Sequence, residues 1–162
     1  MLKRVKMDPD LILREARRLD DDCEFEAARE HYEAGGKSYF YAGLKALDRA
    51  AELAAKMENY DKAIELYQIV SFLYESSFIK AGICALANQN PEQAIELSRN
   101  PRCPVEDSKT LKQLVNAVET PNHELFCRTA SEYDLQCNGI SEPFITVLLR
   151  IKNRIPRPDL DF

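Results

Sequence analysis

The sequence predicts an all-α protein, a right-handed array of helical hairpins (an α-solenoid) with a helical cap at its C-terminal side. Three observations carry that expectation. Ala63-Ile64-Glu65-Leu66 recurs 31 residues later as Ala94-Ile95-Glu96-Leu97, each copy behind a turn signal. Apolar residues recur at helical spacing along the chain, and no segment alternates as a strand would. Glycine is scarce, with 5 residues, while Ala, Leu, Glu and Lys are plentiful. A period near 34 residues marks tetratricopeptide-like (TPR-like) arrays, so 31 is a slightly shortened version. Such hairpins bury their apolar faces only by stacking, and their usual work is binding.

The elements follow in order. Asp8-Pro9 opens the first helix, because Asp can cap free amides and Pro at the first helical position loses no bond. Ile12, Ala16 and Leu19 give it one apolar face up to the turn Asp20-Asp21-Asp22. A second helix carries Ala27, Ala28 and Tyr32 and is expected to stop at Ala34-Gly35-Gly36, where paired glycines suit a left-handed terminus. Leu44, Leu47, Ala50, Ala51, Ala54 and Ala55 mark the third helix, to about Met57. Its partner is expected over 60–75, and the next pair over 78–87 and 91–97. Pro101 and Pro104 enforce a non-helical link. Helices are then expected over 107–119, 121–133 and 142–155, the last capped by Ser141 and stopped by Pro156 and Pro158.

Aligning the repeats places Ala28, Ala63 and Ala94 on second helices, with Ala16, Ala51 and Gly82 twelve positions earlier on first helices. Small side chains there let paired helices approach closely. Tyr32 and Tyr67 are expected to fill the gap to the following hairpin, a pattern that Ser98 breaks. Phe144, Leu148, Ile151 and Ile155 form one stripe, read as a cap over the array's open end. Arg150, Lys152 and Arg154 complement the dipole of that same helix.

Residues 1–162 are expected to form one domain, with the array over 1–100 and the cap and tail over 101–162. Net charge is −5, shared as −3 up to residue 80 and −2 beyond it, which argues against a nucleic-acid partner. No apolar run reaches the 18 or so residues that span a bilayer. The basic start has no apolar stretch of a signal peptide. With five cysteines, an odd number without paired spacing, reduced thiols in the cytosol are expected.

Over 47–155 the chain resembles the soluble NSF attachment proteins (SNAPs) of the α/β type. The residues that carry the likeness are Glu58-Asn59-Tyr60-Asp61-Lys62-Ala63-Ile64-Glu65-Leu66-Tyr67, then Phe78-Ile79-Lys80-Ala81-Gly82-Ile83-Cys84. Glu132-Tyr133-Asp134 followed by Val147-Leu148-Leu149-Arg150-Ile151-Lys152 is its most specific part. The resemblance implies an adaptor in membrane fusion, cytoplasmic and peripherally associated with membranes. Its array grips the assembled SNARE complex, and its C-terminal helices present that bundle to the AAA ATPase NSF. It implies no chemistry in the adaptor, no cofactor and no metal. Family members run to nearly twice this length, so several N-terminal hairpins have no counterpart here. Their first hairpin carries an aromatic membrane loop; the corresponding turn here, Leu19-Asp20-Asp21-Asp22-Cys23-Glu24-Phe25, is acidic. Lys3, Arg4 and Lys6 offer weak attraction to an anionic membrane surface.

Candidate residues follow from these two readings. Counting from Ala16 and Ala51 turns Arg17, Lys45 and Lys56 toward the inner surface, where cations suit an acidic SNARE bundle. For NSF, the resemblance points to Glu119, before the Glu-Tyr-Asp segment, and to Leu160 near the terminus. Two rivals stand beside this reading. A general TPR-type scaffold would bind peptides or helices unrelated to SNAREs. A metal-dependent hydrolase would use His123-Glu124-Leu125-Phe126-Cys127, but His31 is the only other histidine to complete a site. A first-turn His and a packed Cys explain that motif more simply.

Overall fold

The computed structural model describes residues 8–38 and 43–157. Among them lie nine α-helices and no strand: α1 (Pro9–Asp21), α2 (Phe25–Ser38), α3 (Leu44–Lys56), α4 (Tyr60–Val70), α5 (Ser77–Ala87), α6 (Pro91–Ser98), α7 (Val105–Glu119), α8 (His123–Gln136) and α9 (Glu142–Arg154). From α1 to α8 each helix packs on the next, so α1/α2, α3/α4 and α5/α6 form successive hairpins. The all-helical hairpin array expected from the repeat is therefore present.

The three hairpins share one turn. Cys23, Glu58 and Gln89 each follow the helix cap with φ of 61°, 62° and 59°. The next amide then reaches back five residues: Glu24 to Leu19, Asn59 to Ala54 and Asn90 to Ala85, at 2.8–3.0 Å. A left-handed residue followed by this bond satisfies carbonyls left free at a helix end. Sequence reasoning looked for glycines in this role and put them in the wrong place. Helix α2 runs straight through Gly35 and Gly36. A Cβ on Gly35 would lie 2.6 Å from Leu13 Cδ2, and one on Gly36 would lie 2.8 Å from Leu47 Cγ and 2.9 Å from the Gly43 carbonyl. These glycines let α2 press against α1 and α3 rather than end the helix.

Gly82 shows a related shift. Ala16, Ala51, Ala28, Ala63 and Ala94 are all fully buried, as the alignment expects. The space beside Gly82, however, is taken by Leu111 of α7, not by the second helix of its own hairpin. Tyr32 is buried, and its hydroxyl donates to Asp20 Oδ2 at 3.2 Å, the carboxylate that also holds Arg49 of the next hairpin.

Several boundaries move for local reasons. Helix α4 ends at Val70 rather than near residue 75, because Ser71 Oγ donates to the Gln68 carbonyl and Arg102 takes the carbonyls of Ser71 and Phe72. Helix α7 starts two residues early, at Val105 behind Pro104. Helix α8 starts at His123, where Asn122 Oδ1 accepts from the Leu125 amide at 3.0 Å. Ser141 stands at the start of α9, but it is its carbonyl, not its hydroxyl, that accepts from the first turn.

The largest correction concerns α9, which does not cover the array's open end. It folds back across α3 and α5 and touches α8 only lightly. Phe144, Val147, Leu148, Ile151 and Ile155 are buried there, and the Phe144 ring meets Tyr67 edge to face with centroids 5.6 Å apart. One apolar cluster, running from Ala16 to Ile155, results.

Candidate functional site

Two surfaces hold the residues singled out by sequence. The first is the face made by α1, α3 and α5. Asp20 at the end of α1 accepts both arms of Arg49 on α3, each at 2.7 Å. Asp48, also on α3, lies 3.8 Å from Lys80 Nζ on α5. Glu52 accepts from Arg49 at 3.2 Å. The charges thus form a ladder that joins successive first helices one repeat at a time. The Arg49 guanidinium holds the Asp20 carboxyl below its usual range. Burial pushes Asp48 and Glu52 up, with Lys80 working against the shift at both and Arg49 at Glu52.

The three sequence candidates are distributed around this ladder. Arg17 is exposed on α1 and Lys45 is exposed in the first turn of α3. Lys56, the last residue of α3, is half-buried, with its ammonium 4.2 Å from the centre of the Phe25 ring. Lys45, Asp48, Arg49, Glu52 and Lys56 share one stripe of α3, so cations and carboxylates are interleaved there. The reading of the sequence missed Arg49 and Lys80 as structural cations. Their signal was present: each stands about one repeat after the acid it pairs with.

Helix α9 lies on the same face and is fastened by two arginines. Arg150 donates to the Ala55 and Lys56 carbonyls at 3.1 and 2.8 Å and to the Tyr60 hydroxyl at 3.2 Å. Arg154 donates to the Ala87 carbonyl. These side chains satisfy the C-terminal carbonyls of α3 and α5, and so complement the dipoles of those helices and not only of their own. Beneath the start of α9 lie Tyr67, whose buried hydroxyl has no hydrogen-bond partner among the described residues, and Lys80, 5.9 Å from the Phe144 ring centre.

The second surface is the corner between α7 and α8. Glu119 is exposed at the last residue of α7. Four residues on, His123 Nε2 accepts from Arg157 Nε at 3.2 Å, so the chain beyond α9 passes this corner. Leu160, along with Lys3, Arg4 and Lys6, lies outside the described residues. The other His123 nitrogen is 3.7 Å from Cys127 Sγ, while His31 stands on α2 against the Ala27 carbonyl. Among the described residues no three His, Cys, Asp or Glu side chains converge as metal ligands. Burial pushes the Cys103 thiol up to about 11 and that of Cys84 higher still. Both are poor nucleophiles. Among the described residues no helix is long and apolar enough to cross a membrane.

Comparison with known proteins places this geometry. Residues 13–156 match the family described as soluble NSF attachment protein, SNAP. The chain is 28% identical to a beta-soluble NSF attachment protein of Bos taurus over 152 residues, covering 82% of this chain and 51% of that protein. It is 26% identical to alpha-soluble NSF attachment proteins of Mus musculus and Homo sapiens over 162 residues, covering 85% of this chain and 53% of each. It therefore spans about half the length of the curated relatives it matches. The family match takes in all of α2 to α9 and the ladder that joins α1, α3 and α5, and on that extent the chain belongs to the soluble NSF attachment protein family.

Proposed function

We propose that this chain is a non-enzymatic adaptor that holds an assembled SNARE complex and recruits an NSF-type ATPase to take it apart. The observation that supports this most is the family match across 13–156, borne on a helical-hairpin chain. The part of the α1, α3 and α5 face that α9 leaves open is the gripping surface, with Arg17, Lys45 and Lys56 as its cations toward an acidic bundle. The α7–α8 corner is the ATPase end, with Glu119 and Leu160 as its contacts. Residues 1–162 act as one unit, an array over 1–100 and a cap and tail over 101–162. The continuous apolar cluster favours that reading.

The test is a pull-down with the full chain from cytosol plus detergent-solubilised membranes. SNAREs and NSF are expected together, and purified components should then disassemble with ATP. Removing residues 157–162, or changing Leu160 to Ala, should slow disassembly while the ternary complex still forms. Binding to short peptides without any affinity for an assembled bundle would favour a general scaffold instead.

A further inference from the structure

The turn between α4 and α5 presents three consecutive large side chains to solvent. Phe72 is 72% exposed, Leu73 49% and Tyr74 47%, and Val105 at the start of α7 reaches 82%. Isolated exposed apolar residues are ordinary, but a run of three at a turn tip is not. Nothing in the packing of α4 or α5 requires them, since both helices already bury their own stripes.

The turn is also bonded internally and to the α6–α7 link. The amides of Phe72, Leu73 and Tyr74 donate to Ile69 and Val70 carbonyls at 3.0–3.2 Å. Arg102 Nη2, from the link between α6 and α7, donates to the Ser71 and Phe72 carbonyls at 2.8 and 2.7 Å. Its guanidinium sits 5.4 Å from the Phe72 ring centre and 6.0 Å from that of Phe78. A peptide turn enters an apolar interface at low cost only when its polar groups are already paired. These bonds pair the amides of Phe72, Leu73 and Tyr74 and the carbonyls of Ser71 and Phe72, at the part of the turn that carries the apolar side chains.

The neighbouring surface is basic. Arg99, Lys109 and Lys112 line an open concavity of about 720 Å³ with Val105, Pro101 and Cys103. The lining contains no carboxylate. Glu75, Glu96 and Glu106 are exposed acids near it in the chain, and Asp107 is buried. Arg102, bonded to the Ser71 and Phe72 carbonyls, stands between Pro101 and Cys103 of that lining, which sets the aromatic turn next to the basic concavity.

We infer that the Phe72-Leu73-Tyr74 turn, with Val105 and the cations Arg99, Arg102, Lys109 and Lys112, is a contact for an anionic lipid bilayer. Phe72, Leu73 and Tyr74 stand outside the concavity that Val105 and three of the cations line, so an apolar run and a basic surface adjoin, as insertion between anionic headgroups requires. Aromatic rings at the interface with cations at headgroup level are the chemistry such a surface selects. This site is independent of the adaptor reading and lies on different elements from the basic start of the chain.

The test is cosedimentation of the full chain with vesicles of phosphatidylcholine alone and with phosphatidylserine added. Binding is expected to the anionic vesicles and to weaken at high salt. F72S/L73S should lower it by about tenfold or more, since partitioning scales with buried apolar area. Because both side chains are exposed, the double variant should melt at the wild-type temperature, so lost folding is distinguishable from lost contact. The chain has no tryptophan, so Y74W supplies a single indole whose emission should shift to the blue on anionic vesicles. Equal vesicle binding by wild type and F72S/L73S, or an unshifted Y74W emission, would overturn the proposal. So would a double variant that keeps its lipid binding and loses SNARE or NSF binding, since the turn would then be a protein contact.

Discussion

At the scale of single residues, the hairpin turns and the glycines have exchanged roles. Left-handed backbone falls on Cys23, Glu58 and Gln89, residues with a Cβ, while Gly35 and Gly36 sit inside α2. A non-glycine residue in that conformation carries roughly 1–2 kcal/mol of steric strain. Changing Glu58 or Gln89 to Gly should therefore stabilise the fold, by less than that figure because glycine also loosens the unfolded chain. Chemical denaturation with circular dichroism reads the change. The reverse holds for Gly36→Ala and Gly82→Ala, whose new Cβ atoms would collide with Leu47 and Leu111. Overpacking of this kind costs about 1–3 kcal/mol. The same range applies to Ala63→Leu and Ala94→Leu, both at fully buried positions. Neutral melts at all four positions would refute the packing account. The sequence showed that small residues matter at Ala63, Gly82 and Ala94, but not which neighbour each one makes room for. Gly82 facing Leu111 is a tertiary fact with no local signature.

At the scale of elements, α9 is the instructive case. Its stripe of Phe144, Leu148, Ile151 and Ile155 was legible from spacing alone, and so was its stop at Pro156. Its landing place was not, because a helix's own pattern says which face is buried and not against what. Arg150 and Arg154 looked like ordinary last-turn cations, yet they reach the carbonyl ends of α3 and α5. Arg150→Ala should cost about 1.5–3 kcal/mol, the range for hydrogen bonds from a charged group. Arg150→Lys should not restore it, since an ammonium lacks the fork that spans two carbonyls and a hydroxyl. Comparing the three melting curves decides this.

The charge ladder on α3 also carries a pH signature. Asp48 and Glu52 hold protons more tightly when folded than when unfolded, chiefly through burial. The folded state then binds more protons just above the ordinary carboxylate values of about 3.9 and 4.3, so stability should fall as pH rises through that window. Asp20 acts in the opposite sense, because Arg49 lowers it, but its contribution is lost only at lower pH. The melting temperature is thus expected to rise on mild acidification from neutrality, and Asp48→Asn should flatten that rise. A flat or inverted profile in the wild type would contradict the burial of these two acids.

At the scale of the whole molecule, the ladder Asp20–Arg49 and Asp48–Lys80 makes the first-helix face a single charged strip. Composition hid it, because a net charge of −5 spread evenly over both halves says nothing of local order. Reversing Arg17, Lys45 and Lys56 together to Glu should weaken binding to an assembled SNARE bundle and flatten its salt dependence. Exposed pairs contribute only about 0.2–1 kcal/mol each, so single reversals fall near the detection limit. Lys56 should matter least of the three, since its ammonium is already engaged over Phe25. Undiminished binding by the triple variant, measured across a salt series, would place the grip on another face.

The fastening of α9 by Arg150 has a consequence for how the chain is made. Its partner carbonyl on Lys56 is synthesised 94 residues earlier. At 5–20 residues per second, that leaves an interval of about 5–20 s on the ribosome. Throughout it, Tyr67 has no Phe144 beside it, and the ends of α3 and α5 have no guanidinium. The hairpins can form in order as they emerge, but the face they share stays open until α9 arrives. Nascent chains stalled before residue 142 should therefore be cut by protease near α3 and α5, and chains released after residue 157 should resist.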